Sequence, residues 1–572
     1  METILKRGTA HVLESADRPV LRIGVVIDSP LQPRWIRRVL EEIQSSRIAS
    51  VVLIVRVVAN SRHSQSHWIT FVRGWRRLLS TIYLKLDELI FRPDNNALEL
   101  VNIDDLITTA ASIELCPEDA DGTEYYLDED VNKILECQLD VALYFGSRRL
   151  RGRALKIARH GVWAYFHSAA SVNLGGPPGF WEVMQEETLS VAILARLSDG
   201  TDCCPVLYRS WSSTVARSVI ETRNRVHWKS ATFVVRKLRD LATANTDGLT
   251  DSDGPLQIFS NRPRSIPGNW EMTKLFVKFA TRAGRRKLSN LTHVNQWFLA
   301  YELGTGDGGP AECLYQFRKL FPPADRFWAD PFPVYSQGSF FIFLEESPIG
   351  IDQGHISIME ITGSGKVTPC ETVLERDYHL SYPFVFSWRD QWYMIPETCQ
   401  VGRVEVYKSV EFPRRWELLQ VLLDDVRAVD TTLVQRDGRW WMFTNIAPFG
   451  GSTWDELHVF FSDNPLGPWT PHARNPVKSD VRSARPAGRL FELRGKLIRP
   501  AQDCSSGYGS GIVMHQIDRL TPTEFAEREV ARILPHWHPR IRGTHTYNWI
   551  PGLTVIDGLL PRRKIFGGIV PS

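Results

Sequence analysis

The stretch FWADPFPVYSQGSFFIFLEE (residues 327–346) decides the fold of the second half of this chain. It reads as a short strand, a turn and a second strand, with Glu345 fifteen positions after Asp330. SYPFVFSWRDQWYMIPE (381–397) repeats the pattern with Tyr382 and Glu397, and VDTTLVQRDGRWWMFTN (429–445) repeats it with Asp430 and Asn445. Two weaker copies follow. ARPAGRLFELRGKLIRPAQD (484–503) places Arg485 at the Asp330 position, and GTHTYNWIPGLTVIDG (543–558) places His545 there. The intervals between these positions are 52, 48, 55 and 60 residues. Self-similarity at about 50 residues is the mark of propeller blades. Five blades are expected over 291–572, with HVNQWFLAYEL (293–303) as the closing strand. Polar residues placed alike in successive blades converge on a central channel. Asp330, Glu345, Glu397, Asp430, Arg485, Arg499, Asp503 and His545 are therefore the candidates for substrate binding there, with Glu346 a further acid.

At 572 residues the chain is too long for one core. A net charge of +3 gives no general attraction to nucleic acid. The basic runs RGWRR (73–77), SRRLRGR (147–153) and RAGRRK (282–287) read first as solvated helix faces. The eight cysteines show no CxxC spacing, so reduced thiols in a cytoplasmic protein are expected, with no metal. No apolar run reaches the length of a membrane span, and residues 1–20 lack the apolar core of a signal peptide. Nineteen tryptophans suit a sugar site, although they also fill propeller cores.

The first half reads differently. LRIGVVI (21–27) and VVLIVRVV (51–58) are buried strands flanking an amphipathic helix from Trp35, the βαβ unit of a parallel sheet. No glycine fingerprint for a dinucleotide follows the first strand. LDVALYFGS (139–147), a helix over 149–160 and VWAYFHS (162–168) repeat the unit, and a long helix is expected over 213–244. The expected organisation is an α/β domain over 18–245, a linker and bridging helix over 246–290, and the all-β propeller over 291–572.

The stretch 139–207 resembles the folate-dependent formyltransferases. Their strand ends in Asn-x-His, followed by a Gly/Pro-rich loop and an Asp before a turn. Here the strand ends Tyr165-Phe166-His167, the loop is NLGGPPGFWEV (173–183), and the turn SDGTDCCPVL (198–207) carries Asp202. The resemblance implies a Rossmann-like formyltransferase domain using 10-formyltetrahydrofolate, with an amino sugar or nucleotide-linked sugar as acceptor. His167 would stabilise the oxyanion, Asp202 would orient His167, and Asn173, Gly175 and Gly176 would shape the acceptor site. The departure is Tyr165 at the catalytic Asn position. One oxyanion donor is worth ~10²–10³ in rate, so Tyr165 must donate through its phenol, Asn173 must replace it, or the activity is lost.

The second half carries two resemblances. Its ADP start and later acids resemble five-bladed furanosidase-type glycoside hydrolases, in which carboxylates flank a glycosidic bond. The strings FWADPF, HLSYPF, MIPET, ARPAG, RPAQDC and HTYN resemble the propeller region of plant glucosamine inositolphosphorylceramide transferases, as do bacterial proteins with a formyltransferase-like domain ahead of it. Three readings follow. The first is one-carbon transfer in surface-glycan biosynthesis, with a glycan-holding propeller. The second is glycosyl transfer or hydrolysis in the channel, with Asp330 as base or nucleophile and Glu345 or Glu397 as acid. The third is glycan binding without catalysis. The residues do not fix the oligomeric state.

Overall fold

The computed structural model describes residues 20–58, 75–120, 123–146, 148–167, 177–199, 203–243, 256–257, 266–304, 313–351, 353–363, 365–447, 449–565 and 568–569. The chain divides into two compact units between Ala280 and Thr281, within the helix Asn269–Thr292.

The first unit is built on a seven-stranded sheet. In chain order its strands are β1 (Leu21–Ile27), β2 (Ala49–Val57), β3 (Ala111–Leu115), β4 (Val141–Tyr144), β5 (Val162–Phe166), β6 (Leu189–Arg196) and β7 (Val206–Ser213). They lie in the order β7-β6-β5-β4-β1-β2-β3. The pairs from β5 to β3 are parallel, whereas β6 runs antiparallel to both its neighbours, so the sheet is mixed rather than purely parallel. Helix α1 (Arg34–Ser46) connects β1 to β2 and buries Trp35, Ile36, Val39, Leu40 and Ile43. This stripe at helical spacing packs on Ile23, Val25 and Ile27. The opposite face, with Val26, Leu53 and Val55, packs against Val131 and Ile134 of another helix.

Two expected helices differ. The segment expected as a helix over 149–160 is a strand at Arg149–Arg151 and a 3-10 turn at Gly152–Lys156. Gly152 sits at φ 70°, which an α-helix cannot contain. Residues 213–244 are not one helix. Ser213 ends β7, and α2 (Val219–Ser230) starts only where the Ser218 hydroxyl accepts from Glu221 N at 3.2 Å. A second helix, α3 (Phe233–Ala242), follows a break. There the Ser230 and Thr232 hydroxyls donate to the carbonyls of His227 and Lys229, competing with the helical ladder.

The second unit is a five-bladed propeller. Blade 1 comprises Arg326–Ser336, Ser339–Pro348, His355–Ile361 and Glu371–Leu374. Blade 2 comprises Ser381–Trp388, Gln391–Glu397, Val404–Glu411 and Arg415–Leu423. Blade 3 begins at Ala428–Arg436 and blade 4 at Phe491–Leu493. Blade 5 takes its inner strands from Tyr547–Ile550 and Leu553–Ile565 and its outer strands from His293–Leu303 and Arg318–Leu320. His293–Leu303 pairs along its whole length, from His293↔Arg563 to Leu303↔Leu553. The ring is therefore closed by strands from both ends of the unit, which leaves no open sheet edge at the junction.

Candidate functional site

The same irregularity recurs at the inner strand of blades 1, 2 and 3. Ala329 pairs with Glu345 and Phe332 with Phe343, so Asp330 and Pro331 face one residue. Blade 2 does the same at Tyr382 and Pro383, and blade 3 at Asp430 and Thr431. The first residue of each bulge is left-handed, at φ 50° for Asp330, 46° for Tyr382 and 54° for Asp430. Such a conformation costs a non-glycine residue about 1–3 kcal/mol and persists where the surroundings enforce it. A bulge re-aims its side chain, and here three blades re-aim theirs alike. It also explains the fifteen-residue spacing, because the ladder sets Glu345 and Glu397 opposite the residues just before Asp330 and Tyr382.

Inward-turned groups then meet in pairs. Asp330 Oδ1 lies 3.0 Å from His545 Nε2 and accepts from the Thr546 hydroxyl at 2.5 Å, while Asp330 Oδ2 accepts from Tyr382 N at 3.3 Å. The other face of the His545 ring looks at Asp557, with Nδ1 2.9 Å from Oδ2 but off the line a hydrogen bond needs. Asp557 is also held by the backbone N–H groups of His545 and Thr546. Arg485 donates to both oxygens of Asp430, at 2.5 and 3.1 Å, and reaches Glu397 at 3.5 Å. Gln502 adds a hydrogen bond to Asp430 at 2.9 Å. The Tyr382 phenol crosses between blades, accepting from Gly488 N at 2.7 Å and bonding the Thr432 hydroxyl at 3.0 Å.

Burial and charge push these groups apart in protonation state. Burial opposes ionisation of Asp330, but the His545 charge and its hydrogen bonds hold its carboxyl below the usual range. Burial opposes charging of His545, yet Asp557 and Asp330 outweigh it and raise the imidazole to about 10. Glu345 goes the other way: burial, then the Asp330 charge, pushes it well above an ordinary carboxyl. Its imidazole neighbour is His379, with Nε2 3.6 Å away and Nδ1 accepting from Gly354 N. Burial and the adjacent Asp430 raise Glu397 similarly. Burial raises Asp430 as well, against the opposing Arg485 charge, and Glu397 by more. The channel thus combines fixed anions with two protonated acids, the arrangement that separates acid from base roles.

Tyr508, Trp297 and Trp454 gather over this cluster. Tyr508 lies 4.9 Å from the His545 ring and under the Arg485 guanidinium, with Trp297 4.2 Å from the His545 ring and Trp454 6.1 Å from Tyr508. None of these aromatics, nor Asp557 and Thr546, stands in the fifteen-residue pattern. Trp297 reaches the site only through the pairing of His293–Leu303 with the last strand.

Two candidates lie elsewhere. Arg499 is fully buried but is satisfied by Glu527, at 2.7 and 2.8 Å, and by the carbonyls of Ser483 and Ala484. It belongs to a network that also takes in Lys478, from a strand paired to blade 3. Asp503 accepts from Arg532 at 2.6 Å, an outer-strand residue, and so turns away from Asp330. Glu346 faces opposite to Glu345, as alternation along a strand demands. Despite burial, hydrogen bonds from His355, Ser357, Arg326 and Trp328 hold Glu346 down to about 2. Asp330, His545 and Asp557 also present ligand atoms within 4.8 Å of one another, a spacing that suits a cation. With both ring nitrogens facing carboxylates, the charged imidazole itself fills that role.

In the first unit, His167 follows the carboxyl end of β5. Its ring stacks on His227 at 3.9 Å and meets the edge of Trp35 at 5.1 Å. The Ser230 hydroxyl donates to His227 O, so it accepts from His167 Nε2 at 2.9 Å. Burial, then repulsion from His227 and Arg223, keeps His167 neutral. Tyr165 lies parallel to it at 5.9 Å, with its phenol oxygen buried. Asn173, Gly175, Gly176 and Asp202 lie outside the described residues. Around His167 the described groups are aromatic rings, the Ser230 hydroxyl and the Arg223 guanidinium.

Residues 315–548 match the family described as glucosamine inositolphosphorylceramide transferase 1, N-terminal. The chain is 38% identical over 207 residues to the glucosamine inositolphosphorylceramide transferase 1 of Oryza sativa subsp. japonica, covering 35% of this chain and 28% of that protein. It is 38% identical over 211 residues to the protein of the same name from Arabidopsis thaliana, covering 36% and 27%. The chain thus spans little more than a quarter of these relatives. Among solved structures, Zg3597, a family 117 glycoside hydrolase from Zobellia galactanivorans, is similar with a TM-score of 0.31 at 12% identity, covering 46% of this chain and 90% of that one. The catalytic domain of the Coprinopsis cinerea GH62 α-L-arabinofuranosidase gives 0.32 at 11%, covering 41% and 90%.

Proposed function

We propose that the propeller channel acts on a glycosidic linkage, transferring or hydrolysing a glycosyl unit in glycan or glycolipid assembly. The observation that carries this reading is the pair Asp330 and Glu345, two buried carboxyl groups whose surroundings shift them in opposite directions. Glu345 supplies the proton to the leaving oxygen, and the carboxylate it becomes takes the proton of the acceptor hydroxyl or water that bonds to the anomeric carbon, which restores the acid. Asp330 has its lone pairs engaged by His545, Thr546 and Tyr382 N, so it serves as a fixed negative charge facing the positive charge that develops on the sugar. The names of the plant relatives suggest an amino sugar and an inositolphosphoryl lipid as the substrate class. Tyr508 and Trp454 offer ring faces for the sugar. The test is a mass-spectrometric assay of the purified protein with nucleotide-activated amino sugars and inositolphosphoryl lipid acceptors, and with glycosides for hydrolysis. Product loss in both Glu345→Gln and Asp330→Asn supports the reading, and unchanged turnover in both refutes it.

One observation favours a second reading, one-carbon transfer from 10-formyltetrahydrofolate to an amino sugar. A neutral histidine follows the carboxyl end of a parallel strand, where α/β sheets place their ligands. A formylated sugar, made by the protein and absent in His167→Ala, would move the chemistry to the first unit.

A further inference from the structure

The propeller has a second feature at the other end of its channel. Four residues beyond the ring positions Asp330, Tyr382, Asp430 and Arg485 stand Val334, Phe386, Val434 and Arg489. At about 3.3 Å per residue, Val334, Phe386 and Val434 lie roughly 13 Å further along their strands, and Arg489 stands just ahead of the first strand of blade 4. Residues from all five blades line an open depression of about 510 Å³ there, with Val334, Phe386, Trp440, Leu490 and Ile550 among its walls. Arg489 is the one charged residue among those that line it.

Arg489 is half-buried and has few partners. One nitrogen, Nη2, donates to Val385 O at 2.5 Å, and the guanidinium lies 4.9 Å from the centre of the Phe384 ring. Its Nε is buried with no hydrogen-bond partner. Among the described residues no carboxylate pairs with it, in contrast to Arg485 and Arg499 in the same blade. Burial without a counter-charge pulls its pKa down to about 10, which leaves it charged at neutral pH. A partly desolvated guanidinium with an unpaired Nε–H calls for an anion, and its planar fork suits the oxygens of a phosphate or carboxylate. Apart from Ser387 and Gln435 the remaining walls are aliphatic and aromatic, so the body behind that anionic head is apolar.

We propose that this end of the channel is a second binding site, for an amphiphile whose anionic head meets Arg489 and whose apolar chain fills the depression. The site is separate from the acidic cluster, and its occupancy does not depend on the reaction assigned there. The proposal requires head and chain together, which sets the probes.

Calorimetric titration of the full-length protein with decyl phosphate, decyl maltoside and inorganic phosphate tests it. Decyl phosphate is expected to bind at least tenfold more tightly than either of the others. Arg489→Met should weaken decyl phosphate at least tenfold while leaving decyl maltoside unchanged. Because Arg489 also holds Val385 O, a second variant is needed that does not touch it. Ser387→Trp places an indole at an exposed position on the rim of the depression and should likewise weaken decyl phosphate at least tenfold. Equal binding of decyl phosphate and decyl maltoside overturns the anionic head. Equal binding of decyl phosphate and inorganic phosphate overturns the apolar chain. Wild-type affinity in Ser387→Trp overturns the location.

Discussion

Replacing His545 with Gln removes the cation that lies between Asp330 and Asp557. In the folded protein the imidazole titrates at about 10, against about 6.5 in the unfolded chain. A raised folded value means that the stabilisation is fully present below about pH 6.5 and is lost as pH rises through 10. At 1.36 kcal/mol per unit the difference amounts to about 5 kcal/mol, which agrees with the ~3–5 kcal/mol for breaking a buried ion pair. The gap in unfolding free energy between wild type and His545→Gln should thus be about 4–5 kcal/mol at pH 6.5 and close by ~1.4 kcal/mol per pH unit towards pH 10. Guanidinium unfolding followed by tryptophan fluorescence at pH 6.5, 7.5, 8.5 and 9.5 measures it. A gap that stays constant over this range, or one below about 1 kcal/mol at pH 6.5, would show that His545 is neutral and that the ion-pair account of the channel is wrong.

Three further outcomes are expected. Glu345→Gln should abolish channel activity yet change stability by less than about 1 kcal/mol, because a neutral amide replaces an acid already protonated; thermal melts beside the activity assay separate the two effects. Arg499→Met should cost about 3–5 kcal/mol by breaking its bidentate pair with Glu527, and Arg499→Met combined with Glu527→Leu and Lys478→Met, which removes the whole charged network, should recover most of it, as equilibrium unfolding of both variants would reveal. Gly354→Ala should lower stability by about 1–3 kcal/mol, since its new Cβ would sit 2.7 Å from Leu380 O and 2.9 Å from Glu345 Oε1. A Gly354→Ala protein with wild-type stability and activity would mean that the turn beside Glu345 is free to shift.

The blade repeat and five of its ring positions were legible because an antiparallel hairpin converts a fixed sequence interval into a fixed position. Asp330, Tyr382, Asp430, Arg485 and His545 each reach the channel by that rule. Glu345 and Glu397 follow because the ladder sets them opposite the bulges. The two halves, α/β and then all-β, were equally legible, since apolar periodicity is local. So was the βαβ unit around α1. The long helix expected over 213–244 failed where Ser218, Ser230 and Thr232 put side-chain hydrogen bonds in place of helical ones.

What the tertiary structure alone decided is which charges meet. Residue type makes Arg485 and Arg499 equal candidates, yet one closes on Asp430 in the channel and the other on Glu527 within its blade. Arg489, four residues after Arg485, finds no acid at all. Glu345 and Glu346 are adjacent and identical in sequence, and strand alternation sends them to surroundings that shift them in opposite directions. Asp557 and Trp297 join the site through a strand pairing between the two ends of the propeller unit. The sequence determined the repeat, because strand and turn preferences act over a few residues. Protonation and pairing depend on burial and on neighbours distant along the chain, and those exist only once the ring has closed.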